Sequence, residues 1–437
     1  MTENKTHKLR MLIAYPSFPE PDTAAGWLRI FEIIKILLSN GNQITFLAKR
    51  ENDSKYRKAL EDLGVICVSD DHGSLLKSVS VFEKFLRKHA FESAILGFYD
   101  IYNQYAPYIR TFLPNCHLIL DTVDLHFLRI RRRAELSNEF TENELATKVE
   151  LEESKAILHA DSVWVVTNLE RDILFQKFKN EKISVHVVPI IHRPKDQLPD
   201  YDRRHGIIFL GGYRHHPNVD GVHYFMKDIL SLLRKILPDV QVTIAGSYPP
   251  DEFHKYAEVN PNLKVTGFID DHQLLLSAHR VGIVPLRYGA GMKGKIGEYF
   301  ACGLPCVSTT IGAEGMDLAH GREILVADSP INFASAIERI YHDRHLWESL
   351  SIAGLQYVRS RLSPSAVEPI LMEAIRLTRT NPVMPKTGFL NVLLKLVKCL
   401  TNPTKLINLI RSLVTSWTHG GLPELWAKYR IWSTHNW

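Results

Sequence analysis

The sequence predicts an α/β fold of two doubly wound parallel-sheet domains followed by a helical tail. Three observations carry this. Short apolar runs alternate with helical stretches through residues 1–190, the pattern of a parallel sheet covered by helices on both faces. A polar, proline-bearing break at 191–205 separates this half from a second one, where the same alternation restarts and runs over 206–380. From about 381 to 437 the chain turns leucine-rich and basic. At 437 residues it is too long for one ordinary domain, and 45% hydrophobic with 23% charged residues is the balance of a protein with a large core.

The elements follow in order. Leu9 to Tyr15 reads as the first strand, broken by Pro16, Pro19 and Pro21. Ala24-Ala25-Gly26 opens a helix from Trp27 to about Ser39, stopped by Asn40-Gly41, and Gln43 to Ala48 is the second strand. Val65–Val68, Ser93–Gly97, His117–Leu120, Ser162–Val166 and Val185–Pro189 read as further strands. Leu125 to His159 reads as one long charged helical region whose Arg129, Arg131, Arg132 and Arg133 mix with glutamates, a solvated face with ion pairs rather than an anion site. In the second half, Ile207–Leu210, Val240–Ala245, Lys264–Val265, Val281–Leu286 and Pro305–Ser308 are strands. Tyr213 to Pro217 is a loop before a helix from Val219 to Ile236, and helices cover much of Phe333 to Thr378.

Net charge of +5 is only mildly basic, and no nucleic-acid motif is present. Five cysteines, odd in number and scattered, read as free thiols in a reducing compartment. The polar start MTENKTHKLR leads straight into a strand without a leader pattern. No apolar run reaches the ~20 residues of a spanning helix. The expectation is a cytoplasmic protein. Residues 386–417 form two amphipathic basic stretches, readable either as an anchor lying on the inner membrane face or as a helical pair packed on protein.

The most chemically informative stretch is Val281 to Ser308. A strand leads into Gly289, Gly291 and Gly294, with Lys293 and Lys295 at a helix start and Glu298 one turn further in. Glycines admit a ligand to the backbone, a helix start offers N–H groups, and lysines add charge, so the stretch suits an anion such as a diphosphate. The two lysines should face different sides of the helix start, so that only one reaches the ligand. Glu298 suggests hydroxyls nearby, as on a ribose. The glycines also fit GxGxxG, with Glu314 at the spacing of a ribose-binding acid. A nicotinamide enzyme is the weaker reading, since the pattern lies deep in the second domain and its helix is short. Asp270-Asp271 reads as a helix start, and no cluster demands a metal.

Taken together, FLGGYRHHPNVDGVHYF, VTIAGSYPP, VTGFIDD and VPLRYGAGMKGKIGEYFACGLPCVSTTIGAEG resemble the nucleotide-sugar-binding domain of a family 4-type glycosyltransferase (glycosyl transferases group 1) with the GT-B fold. The first half agrees through YPSFPEPDTAAGWLR, LILDTVDLHFLR and ADSVWVVTNLERDIL. The resemblance runs from Leu9 to Arg376 and implies two Rossmann-like domains facing across a cleft. It places donor ribose hydroxyls on Glu298 of EYFACGLP and a histidine near the reacting sugar at His126. Gly26 matches the glycine loop, and Asp121 and Asp124 would orient the acceptor-side loop. The backbone of Gly291, Met292 and Lys293 would hold sugar or phosphate, with Gly211 and Gly212 at the turn after the first strand of the second domain.

Two departures stand out. The family's second glutamate, eight residues before Glu298, is Ala290 here. The usual Arg and Lys of G-R-x-x-x-x-K are Gly212 and Pro217, which moves the phosphate-binding role to Arg214, Lys293 and Lys295. The implied activity is transfer of a hexosyl or deoxyhexosyl unit from a nucleotide-diphosphate sugar to a glycan or lipid-linked glycan, with retention and without a cofactor or metal, in surface polysaccharide (O-antigen or capsule-like) synthesis. Another GT-B enzyme such as an epimerase, or a non-catalytic nucleotide-sugar-binding scaffold, stays open. The closing YRIWSTHNW resembles the start of a family 2-type domain, which would make this chain the first module, or a truncated relative, of a larger enzyme with further glycosyltransferase modules.

Overall fold

The computed structural model describes residues 8–71, 75–76, 78–137 and 140–380. The tail and the closing YRIWSTHNW lie outside the described residues.

The first sheet comprises β1 (Arg10–Tyr15), β2 (Gln43–Ala48), β3 (Ile66–Ser69), β4 (Ser93–Gly97), β5 (His117–Asp121), β6 (Ser162–Val165) and β7 (Val185–Val187). The second comprises β8 (Ile207–Leu210), β9 (Val242–Ala245), β10 (Leu263–Val265), β11 (Val281–Val284), β12 (Cys306–Ser308) and β13 (Leu325–Val326). Among the described residues every strand pairing is parallel. The strand orders are β3-β2-β1-β4-β5-β6-β7 and β10-β9-β8-β11-β12-β13. Central strands such as RMLIAY and VTIA are buried on both faces, which is why they are apolar runs rather than alternating patterns. Each sheet reverses its order once, between β1 and β4 and between β8 and β11. Ligands of open α/β sheets bind at the strands' carboxyl ends beside such a reversal.

Several elements differ from the sequence reading. The region 125–159 is two packed helices, His126–Ser137 and Phe140–His159. The helix placed at Val219 begins at His216, because Pro217 fits the first turn, where its missing N–H has no intrahelical partner to lose. It widens to a π-turn at Phe225–Ile229 before Leu230–Ile236. Strand β13 is only two residues long, too short to carry a periodicity. The last helix, Pro364–Thr380, counted with the second domain from sequence, returns to the first: Val367, Leu371, Ala374 and Ile375 lie in the core around β1 and β2.

The two sheets have separate cores, one flanking each face of the first sheet and one in the second domain. A buried triad ties the last strand's end to the centre of the first domain. Arg29 donates to Asp121 at 2.6 Å and to the carbonyls of Val188 and Pro189 at 2.9–3.2 Å, and Tyr15 donates to the same Asp121 carboxylate. Asp121, read as a loop-orienting residue, is fully buried at the end of β5, directly before that loop, and is held by Arg29 and Tyr15. The domains then meet directly: a Cβ added at Gly294 would stand 2.1 Å from Cβ of Ala25, so the helices Gly294–Ala301 and Ala25–Ser39 begin against one another.

Candidate active site

A cavity of about 690 Å³ lies between the domains. Its walls come from the segments that follow the carboxyl ends of the central strands: Pro16 and Asp22–Leu28 after β1, Phe98–Asp100 after β4, Val123–Arg129 after β5, Gly211–Asn218 after β8, Gly246–Ser247 after β9 and Leu286–Glu298 after β11. Backbone strain concentrates here. Phe98 and Val123 have φ of +70° and +61°, and Tyr248 next to the wall has +61°. Such values are uncommon for non-glycine residues, more so for a β-branched valine. Gly246, at φ +132°, has no room for a side chain, since a Cβ would stand 2.0 Å from the Gly211 carbonyl oxygen.

On the second-domain side, Glu298 lies in the helix Gly294–Ala301 and faces the cavity. His272 Nε2 binds its Oε1 at 2.5 Å. Burial raises the Glu298 carboxyl, but the hydrogen bond from His272 and the charges of His272, His192 and Lys295 outweigh it and hold the group below its ordinary value. The hydrogen bond to Glu298 correspondingly raises His272. Asp271 caps the helix His272–Ala278 by accepting from the Leu274 N–H at 2.8 Å, which aims His272 at Glu298. The Asp-Asp helix start was legible; its histidine as a partner of Glu298 was not, because nothing local links residues so far apart.

Lys293 and Lys295 both line the cavity, against the expectation that only one would. Lys293 precedes the helix with non-helical backbone (φ −79°, ψ 89°), so the helical spacing that would separate the two does not apply. Lys293 donates to the Gly291 carbonyl at 3.0 Å, and Lys295 to Asn218 Oδ1 at 2.8 Å. Burial pushes Lys293 down to about 8 against the opposing pull of Glu314 and Glu170. Burial and the charge of Lys293 bring Lys295 to about 7. These are cations held without a dedicated carboxylate at hydrogen-bond distance, a state that an anionic ligand would relieve.

On the first-domain side, His126 opens the helix His126–Ser137, its ring stacked on Phe98 at 5.3 Å and edge-on to Tyr99 at 5.5 Å. Its Nε2 lies 3.2 Å from Asp124 Oδ1, and Arg129 donates to Asp124 Oδ2 at 2.7 Å. Burial lowers the His126 imidazole, but Asp124 outweighs it and raises it. Burial likewise raises the Asp124 carboxyl, while Arg129 and His126 hold it well below the usual range. Glu153 accepts from the N–H groups of His126 and Phe127 at 3.1 and 2.7 Å, and Glu170 from that of Leu125 at 3.0 Å, so two buried carboxyls anchor this loop. Burial pushes both up to about 7.

Gly26, Gly211, Gly212 and Met292 also line the cavity. Two predicted binding residues do not. Arg214 is exposed and stacks over Tyr248 at 3.7 Å. Gly291, at φ +68°, packs on the first domain, a Cβ there falling 2.9 Å from Asp124 Cβ. Glu314 does not face the cavity either; Arg132 takes both its oxygens. The charged helical face is therefore only partly a solvated one. Arg131 and Arg133 pair with Glu150 and Glu142, whereas Arg129 and Arg132 point into the interdomain region. Arg129, His215, Asn218 and His272 are among the wall residues that sequence reasoning missed. Among the described residues no group of three or more His, Cys, Asp or Glu could hold a metal ion, and no helix is long and apolar enough to cross a membrane.

Residues 204–343 match the family model for glycosyl transferases group 1. A protein of the cps region of Klebsiella pneumoniae, uncharacterised and of 44.6 kDa, is 26% identical over 157 residues. That match spans 34% of this chain and 40% of the relative's own length. Among solved structures, sucrose-phosphate synthase from Thermosynechococcus elongatus superposes with a TM-score of 0.64 at 15% identity, covering 84% of this chain and 98% of the other. HepE from Anabaena in complex with UDP and glucose gives 0.64 at 13% identity, covering 84% and 99%. The two sheets and the cleft between them are thus those of the GT-B fold, and residues 204–343 are similar to the glycosyl transferases group 1 family.

Proposed function

We propose that the protein transfers a hexosyl or deoxyhexosyl unit from a nucleotide-diphosphate sugar to a glycan or lipid-linked glycan, with retention, in the synthesis of a surface polysaccharide. The observation that carries this reading is the pairing, across one cavity, of Glu298 and two buried lysines on the second domain with His126 and Asp124 on the first. Glu298, held ionised by His272, would accept hydrogen bonds from the ribose diol. Lys293, Lys295 and the N–H groups opening the helix Gly294–Ala301 would meet the diphosphate and stabilise the charge that grows as the glycosidic bond breaks. His126 would hydrogen-bond the transferred sugar on the opposite wall.

In this reading the acceptor hydroxyl oxygen bonds to the anomeric carbon on the face that the diphosphate leaves, and its proton passes to the departing phosphate oxygen. No metal is required, so turnover survives EDTA. The cps-region relative supports the polysaccharide setting. Placement in the cytoplasm or at the inner membrane face, and work beside further glycosyltransferase modules, belong to the same proposal.

A thermal-shift panel of UDP-, GDP- and dTDP-sugars against NAD and NADP tests the reading. Stabilisation by one nucleotide-sugar class is the expected result, about 2.7 kcal/mol at a hundredfold excess over Kd. Stabilisation by NAD or NADP alone would overturn it.

A further inference from the structure

Arg132 lies one turn beyond Arg129 on the helix His126–Ser137 and reaches across to the second domain. Its Nη1 donates to the Gly289 carbonyl at 2.7 Å and to Glu314 Oε2 at 2.6 Å, and its Nη2 donates to Glu314 Oε1 at 2.9 Å. The fork therefore occupies both carboxylate oxygens and also grips the glycine-rich turn. Lys293 Nζ stands 3.9 Å from Glu314 Oε2, outside hydrogen-bond distance, and is tied instead to the Gly291 carbonyl. An ammonium has three N–H donors. Lys293 is almost fully buried and lines the cavity. Among the described residues Glu314 is already its nearest counter-charge, and the Arg132 fork keeps that pair short of a hydrogen bond.

We propose that Arg132 is a positioning residue that holds Glu314 away from Lys293, so that the ammonium stays available to a diphosphate in the cavity. The proposal rests on the nucleotide-sugar reading. It makes the first domain a determinant of anion binding by the second: the anion site is complete only when the cleft is closed enough for Arg132 to reach Glu314. Loss of Arg132 lets Glu314 close on Lys293 as an internal ion pair that competes with the ligand. Loss of Glu314 removes that competitor.

The test uses the full chain and equilibrium binding of UDP, GDP and dTDP with their parent nucleosides. For the diphosphate the wild type binds best, Arg132→Ala is expected to weaken binding at least tenfold while nucleoside affinity stays within threefold. Glu314→Gln is expected to bind that diphosphate no more weakly than wild type, and the double variant Arg132→Ala/Glu314→Gln to recover to within threefold of it. A purely structural clamp gives the opposite pattern, with Glu314→Gln and the double variant as weak as Arg132→Ala and the nucleoside weakened alongside; that result overturns the inference. Unchanged diphosphate binding in Arg132→Ala overturns it alone. A wild type that binds none of the three diphosphates overturns the nucleotide-sugar reading and the inference with it. Should Arg132→Ala fail to fold, Glu314→Gln decides by itself, since tenfold weaker binding there contradicts the proposed competition.

Discussion

Replacing Glu298 by Gln changes one charge at nearly constant volume and separates the residue's two jobs. Its Oε1 is engaged by His272 at 2.5 Å, which leaves Oε2 and the remaining lone pairs for a ligand. A carboxylate accepts from both hydroxyls of a ribose diol, whereas a carboxamide offers one acceptor oxygen and otherwise donates. A hydrogen bond to a charged group contributes about 1.5–3 kcal/mol, so removing the one made by the 2′-hydroxyl corresponds to roughly a 10- to 150-fold change in affinity. The matched ligands are the nucleoside diphosphate selected by the thermal-shift panel and its 2′-deoxy analogue, titrated calorimetrically. Wild type is expected to favour the ribose form by that factor and Glu298→Gln to lose most of the preference. A folded variant that keeps the full preference would refute the assignment of Glu298 to the ribose. The same substitution has a stability signature. The Glu298 carboxyl is lowered in the fold, so its contribution is present above about pH 4.5 and lost as pH falls through the folded value. His272 is raised, so its contribution is full below about pH 6.5 and lost as pH rises through the folded value. The Tm difference between wild type and variant should therefore be largest between about pH 4.5 and 6.5.

Three further outcomes are expected. Because Lys295 titrates near 7 and Lys293 near 8, a diphosphate must recruit protons above those values; affinity should fall as pH rises from 7 to 9, by up to about tenfold per unit for each lysine, and Lys295→Ala should flatten the slope in a pH series of titrations. Gly294→Ala would press a methyl into Ala25 at 2.1 Å; overpacking of this kind costs about 1–3 kcal/mol, here against domain apposition, so small-angle scattering should show a more open particle, whereas Gly267→Ala, with nothing within 4 Å, should not. His126→Ala should lower turnover of the nucleotide sugar by about a hundredfold, the scale of a lost proton-transfer or polar contact in the transition state, while diphosphate affinity measured by titration stays within threefold.

Much of this protein is local information. The βαβ alternation, the break at 191–205 and the glycine-rich turn are set by short-range apolar runs and turn residues, and these determine two parallel sheets because a buried strand has few other ways to satisfy both faces. Glu298, Lys293 and Lys295 were legible for the same reason, since their chemistry sits within a few residues of one turn. Tertiary structure alone decided the rest. His272 reaches Glu298, Arg132 reaches Gly289 and Glu314, and Arg29 joins Asp121 to Val188 over sequence separations that no local pattern encodes. The charge state of each group depends on which of these distant partners burial forces it to meet, so Arg214, plausible by position, was left stacked on Tyr248, while Arg132, one among several surface-like arginines, became a link between the domains.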